Sequence, residues 1–204
     1  MKEIAIIDLY DGASESSVAA IEAHAFANRM PAQVFDGIGG RLPTPRAFCA
    51  YILTNGAADP TEAAPWRVRL HAALPDYAKA RPVLGIGLGF TLLAAAFGWP
   101  VRAVPSARIG TFPVTPTPAG WADPLMKDLG NATPVIEHRS WAVLPPPAAT
   151  RTGATVLAYS SAGDVAAARF TPRAAGTIFE PERCIDGAAS TVLGHFLRQA
   201  SEAQ

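Results

Sequence analysis

Residues 82–98 read Pro-Val-Leu-Gly-Ile-Gly-Leu-Gly-Phe-Thr-Leu-Leu-Ala-Ala-Ala-Phe-Gly. An apolar run ending at Ile86 meets three alternating glycines, Gly85, Gly87 and Gly89, and an apolar helix-forming segment at 92–97 stops at Gly98. The order predicts a strand, a sharp turn and a helix, the layout of a nucleophile elbow. Glycines on either side of the turn let the backbone bend steeply and let strand and helix pack closely. The residue thrust into a pocket at the tip is Gly87. In an elbow enzyme that residue is the nucleophile, and here it has no side chain.

Upstream of the elbow, strands and helices alternate. Residues 3–9 form a β-branched apolar run suited to a buried parallel strand. Ser14 suits the N-cap of a helix over 15–28, with Val18, Ile21, Ala25 and Phe26 as its apolar face. Residues 33–35 and 50–53 are the next strands, separated by a glycine- and proline-rich loop at 36–45. The second of them ends in the small-residue loop Thr54-Asn55-Gly56-Ala57. Pro65 opens a helix with Trp66, Leu70, Ala73 and Leu74 at helical spacing, and Pro75 is expected to end or kink it before it resumes through Lys79. The order β-α-β-β-α-β-α implies an α/β fold with a mostly parallel twisted sheet flanked by helices.

Beyond Gly98 short apolar segments at 110–115, 133–137, 154–159 and 165–170 are separated by proline clusters, which predicts an appended antiparallel segment. A short strand at 177–179 and a helix over 188–200 close the chain, the helix burying Val192, Leu193, Phe196 and Leu197. Trp66 and Phe97 read as packing residues.

The 204 residues predict a single domain with a sizeable core. Half of them are hydrophobic and 17% charged, a globular composition. Seventeen acidic and seventeen basic residues cancel, which argues against a nucleic-acid partner or an anionic membrane surface. With no bilayer-length apolar stretch and no signal-peptide pattern at the start, a cytoplasmic location is the default expectation. Cys49 and Cys184 are too few and too far apart to suggest a disulfide framework or a metal site.

Four blocks in this order resemble the class I (triad-type) glutamine amidotransferases, and most of all their free-standing GMP-synthetase-like members. Residues 82–94 match the family's PVLGICLGHQLLA elbow. Arg108-Ile109-Gly110-Thr111-Phe112-Pro113-Val114 is similar to the glycine-aromatic strand that follows it. His138-Arg139-Ser140-Trp141 stands where relatives carry a histidine before an LPPGA-type turn, here residues 144–148. Residues 176–182, Gly-Thr-Ile-Phe-Glu-Pro-Glu, match the G-x-Q-F-H-P-E block. The resemblance covers nearly the whole chain and implies the flavodoxin-like fold of that family, with no cofactor.

It also implies a missing reaction. The family attacks the glutamine side-chain amide with a Cys thiolate assisted by a His that a Glu orients. By resemblance the nucleophile position is Gly87, the base position is Glu180, and only the orienting Glu182 is kept. The substrate-holding glutamine is replaced by Thr91, and the preceding histidine by Phe90. The oxyanion loop resembles Thr54-Asn55-Gly56, and the amide after the tip belongs to Leu88, so both backbone donors are expected to persist. Asn55, Gly56, Gly87, Leu88, Thr91, His138 and Ser140 are the expected ligand-lining residues.

Three readings follow. In one, the chain is a non-hydrolysing pseudoenzyme, a binding, regulatory or scaffolding protein with a partner enzyme, a homo-oligomeric assembly or a small amino-acid-like ligand. In another, Glu180, Glu182 and His138 perform acid/base chemistry on a different small molecule. In the third, the chain is a glutamine or amino-acid sensor, Gly87 leaving room for a ligand that is not consumed. Glu180 and Glu182 are either two carboxylates in one pocket or a solvated strand end, and Arg108 either meets Glu180 or an anionic ligand or stands exposed.

Overall fold

The computed structural model describes residues 3–10, 15–146, 153–184 and 187–202. The expected N-cap Ser14 and the end of the proline-rich turn at 147–148 lie outside them. Strand β1 (Ile4–Asp8) leads into helix α1 (Glu15–Ala27), then β2 (Ala32–Asp36) and β3 (Ala50–Leu53). Helix α2 (Pro65–Ala80), strand β4 (Val83–Ile86) and helix α3 (Leu88–Ala96) complete the first half. The second half holds β5 (Val101–Pro116), α4 (Pro118–Ala122), β6 (Thr133–Val143), β7 (Thr155–Ser160), β8 (Val165–Thr171) and β9 (Ala174–Thr177). Short 3-10 turns at Pro181–Arg183 and Ala188–Ser190 precede α5 (Thr191–Glu202).

Among the described residues, nine strands join one sheet in the order β2-β1-β3-β4-β9-β8-β6-β5-β7, with a further β7–β8 pairing. The first five run parallel, and β1, β3 and β4 are apolar and fully or nearly fully buried, as strands covered on both faces must be. The remaining pairings are antiparallel, and β5, β6, β8 and β7 close on one another into a ring. The sheet is therefore not mostly parallel. Its antiparallel half is larger than the apolar segments suggested, because β5 and β6 continue through stretches with little apolar alternation. Residues 101–108 of β5 include Arg102, Pro105 and Arg108, are mostly exposed, and break register between Ala103 and Arg108.

Three local expectations are corrected. Phe26 is 82% exposed, so the buried apolar residues of α1 are Val18, Ile21 and Ala25. Helix α2 runs through Pro75 to Ala80, since Leu70, Leu74, Tyr77 and Ala78 bury one continuous face and outweigh a lost backbone bond. The last strand is Ala174–Thr177, ending where 177–179 was expected to begin. The closing helix buries Val192, Leu193, Phe196 and Leu197 as anticipated. Trp66 and Phe97 are partly buried against the core, with Phe97 stacked on Phe170 at 5.5 Å. No helix among the described residues is long and apolar enough to cross a membrane.

Candidate functional site

Strand β4 lies between β3 and β9, and the turn from it into α3 opens at the C-terminal ends of the parallel strands. In open α/β sheets that end is where ligands bind. Helix α3 meets both β3 and β4 backbone to backbone: a Cβ on Gly89 would stand 2.6 Å from the Leu53 carbonyl oxygen, and one on Gly85 2.7 Å from the Gly89 carbonyl. Gly87, at the tip, has φ 54° and ψ −109°, which an L side chain adopts only under strain. Its N–H donates to the Thr177 carbonyl on β9 at 2.8 Å, and its carbonyl accepts from the N–H and hydroxyl of Thr91, each at 3.0 Å.

Asn55 covers the tip. Its side-chain oxygen accepts the Leu88 N–H at 2.8 Å, and its Nδ2 donates to Glu180 Oε1 at 3.1 Å and to the His138 carbonyl at 3.0 Å. The residue is 4% exposed. A Cβ on Gly87 would fall 2.2 Å from Asn55 Oδ1 and 2.3 Å from Cγ. The Leu88 amide, expected to face the pocket as an open donor, is thus already engaged. This engagement depends on the orientation of one side chain, which the local sequence does not encode.

Glu180 is fully buried and accepts from three groups: Asn55, the Tyr10 hydroxyl at 3.3 Å and Arg183 Nη1 at 3.2 Å. Burial, reinforced by the Glu180 charge, drives the Tyr10 phenol well above its ordinary range. Glu182, two residues on, is 6% exposed, and among the described residues neither carboxylate oxygen has a hydrogen-bond partner. Burial, with a smaller contribution from Glu180, pushes its carboxyl up to about 8. The two glutamates are not a solvated strand end, and neither borders the cavity described next. Cys184 is buried, with its Sγ on the Glu180 carbonyl at 3.3 Å, and burial raises its thiol above the usual range.

Above the tip lies a cavity of about 370 Å³. Asn55, Gly56, Gly87, Leu88 and Thr91 border it from the turn and the loop after β3, and His138 and Ser140 from β6. All seven residues named from the sequence as ligand-lining therefore meet in one place. Along β6 the burial alternates, so Glu137 and Arg139 are buried while His138 and Ser140 are exposed.

Sequence reasoning did not identify Tyr10, Arg139, Trp141 or Arg183, which also line the cavity. Arg183 adjoins the Glu180-Pro181-Glu182 block, and Arg139 and Trp141 sit inside the His138 block, so proximity to a motif was the available signal. Tyr10 had none. Arg139 is almost fully buried and bridges Glu137 at 2.8 Å and Asp164 at 3.0 Å. Arg108 adds a second cation on Glu137 at 2.6 Å and lies over the Phe112 ring, so it neither meets Glu180 nor stands free. Among the described residues, no group of three or more His, Cys, Asp or Glu side chains is arranged to hold a metal ion.

A sequence model of the glutamine amidotransferase class I family matches residues 6–200. No curated protein matches the chain in sequence. Among solved structures, the chain is similar to a GMP synthase component from Thermoplasma acidophilum, so assigned by its description, with TM-score 0.80, 16% identity, and coverage of 100% of this chain and 96% of that one. A glutamine amidotransferase from Methylobacillus flagellatus matches at TM-score 0.74 and 22% identity, covering 100% of this chain and 76% of that one. Another from Thermotoga maritima matches at TM-score 0.74 and 17% identity, covering 98% and 92%.

Proposed function

As the chain belongs to the class I glutamine amidotransferase family, we propose that it is a single such domain over residues 1–204 that has lost the Cys–His pair and binds without hydrolysing. The observation that carries this reading is the pairing of Gly87 at the tip of the turn with Glu180 beside it. A glycine supplies no nucleophile. A buried carboxylate tied to Tyr10, Asn55 and Arg183 is not a free base.

The stranded Glu182 supports the same reading. An orienting glutamate needs an imidazole to hold, and residue 180 offers a second carboxylate instead. That leaves Glu182 buried without a hydrogen-bond partner among the described residues. Neither Thr91 nor Cys184 supplies a substitute nucleophile. The Thr91 hydroxyl is spent on the Gly87 carbonyl, and Cys184 is a buried thiol whose pKa is raised, the opposite of what activates a nucleophile. Loss of a triad nucleophile costs on the order of a millionfold in turnover, roughly 8 kcal/mol. A remaining oxyanion hole recovers only about three to four powers of ten over water.

The role we assign is that of a binding, regulatory or scaffolding protein, its partner being an enzyme assembled with it. The Thermoplasma neighbour's assignment as one component of a synthase motivates that choice. The alternative, acid/base chemistry by Glu180, Glu182 and His138, draws on the open position of His138 in the cavity wall. It lacks a second group there, since neither glutamate borders the cavity.

The test is covalent labelling by an electrophilic glutamine analogue, read by intact-protein mass. The reading expects no adduct under conditions that label an active family member to completion. A stoichiometric adduct mapped to this pocket overturns it.

A further inference from the structure

The side chain over Gly87 is a primary carboxamide, and it is bound as a ligand carboxamide would be. Its oxygen takes an N–H from the first residue of α3, Leu88, at 2.8 Å. Its nitrogen has two N–H donors, and two acceptors are in place for them: the Glu180 carboxylate at 3.1 Å and the His138 carbonyl at 3.0 Å. Both ends of the amide are therefore satisfied inside the protein, by groups from α3, β6 and the segment after β9. The carboxamide also occupies the space beside the tip, since any Cβ on residue 87 would fall 2.2–2.8 Å from Asn55 Oδ1, Cγ and Cβ.

We propose that Asn55 is the specificity-determining residue of this cavity, its own carboxamide filling the place of an incoming one so that the site excludes primary carboxamides. The proposal rests on the family reading of the turn. It explains why the loss of a nucleophile and the engagement of the Leu88 amide occur together: one side chain requires the first and causes the second.

The occupant is hard to displace for two reasons. An attached group loses no translational freedom on binding, whereas a free amide does. The loop that carries Asn55 is also fixed, because the Thr54 hydroxyl accepts the Leu9 N–H at 2.8 Å and the Thr54 carbonyl accepts the Gly89 N–H at 3.0 Å. Asn55 is not among the non-glycine residues with positive φ, so its replacement need not strain the backbone.

The experiment is calorimetric titration of the wild-type protein and of Asn55→Gly with L-glutamine and with propionamide, with ammonia assayed in the same samples. Removing the side chain frees the Leu88 N–H, Glu180 and the His138 carbonyl together. The variant is expected to bind both amides at least about tenfold more tightly than the wild type, which shows no saturation. Equal affinity in the two proteins overturns the proposal, as does a folded variant that binds neither amide.

Should Asn55→Gly fail to fold, the side-chain amide protons of Asn55 in the wild-type protein decide the matter by NMR. They are expected to exchange slowly and to be unmoved by L-glutamine. Exchange as fast as in an exposed asparagine, or displacement by glutamine, overturns the proposal. Glutamine binding by the wild type without ammonia release defeats the Asn55 assignment alone, and ammonia release defeats the non-hydrolytic reading with it.

Discussion

Asn55 Nδ2 lies 3.1 Å from Glu180 Oε1, joining two residues 125 positions apart directly beside the tip of the strand–helix turn. The contact ties the loop after β3 to the segment after β9, with the Asn55 side chain set against Gly87. A histidine at 180 would bring a ring where the carboxylate now receives three donors, and a side chain at 87 would enter the space that Asn55 holds. Residues 55, 87 and 180 therefore form one arrangement.

Gly87→Ala is expected to destabilise the protein through both the φ of 54° and the contact with Asn55. In an Asn55→Gly background the steric part disappears. A double-mutant cycle by urea unfolding should give a favourable coupling of about 1–3 kcal/mol between the two changes. Strict additivity would mean that the two side chains do not compete for space.

Glu180→Ala strips the acceptor from Asn55, Tyr10 and Arg183 at once. Leaving buried donors unsatisfied costs about 1–3 kcal/mol. Glu180→Gln keeps the shape and one oxygen, so it should cost less. The comparison is read from urea midpoints at constant m-value.

Stability should fall as pH rises from about 5 to about 8. The Glu182 carboxyl is raised from 4.5 to about 8 in the folded protein. Within that window the unfolded chain has released the proton that the folded chain still holds, so raising the pH favours unfolding. The slope attributable to this group is at most about 1.4 kcal/mol per pH unit, and it levels off above the folded value. Glu182→Gln, neutral throughout, should remove the decline. An unchanged pH profile in that variant would assign the decline elsewhere.

Arg139→Met leaves the Asp164 carboxylate without its bidentate partner and Glu137 with Arg108 alone. Breaking a buried pair by removing one member costs about 3–5 kcal/mol. A loss below about 1 kcal/mol in chemical denaturation would show that the network is replaceable by packing.

The parallel half of the fold was legible because burial on both faces leaves a plain signal. The runs at β1, β3 and β4 are apolar apart from the terminal Asp8 of β1, and α3 follows the elbow directly. The antiparallel half was legible only where apolar residues clustered. The exposed arm of β5 and the charged interior of β6, with Glu137 and Arg139 buried as an ion pair, do not read as strand from hydropathy.

The site was legible as a set of neighbours, because residues of three of the four motif blocks and of the loop after β3 border one cavity. Its chemistry was less so. Which way Asn55 turns, and that it consumes the Leu88 amide, depends on contacts among residues 55, 88, 138 and 180, which no local pattern encodes.

The most direct measurement is ammonia release from saturating L-glutamine by the purified wild-type protein, alone and with any partner enzyme found to bind it. The account predicts no release above the protein-free control in either case. Turnover on the order of 1–1,000 per second, the ordinary range for an enzyme, and its abolition by Glu180→Gln, would contradict it.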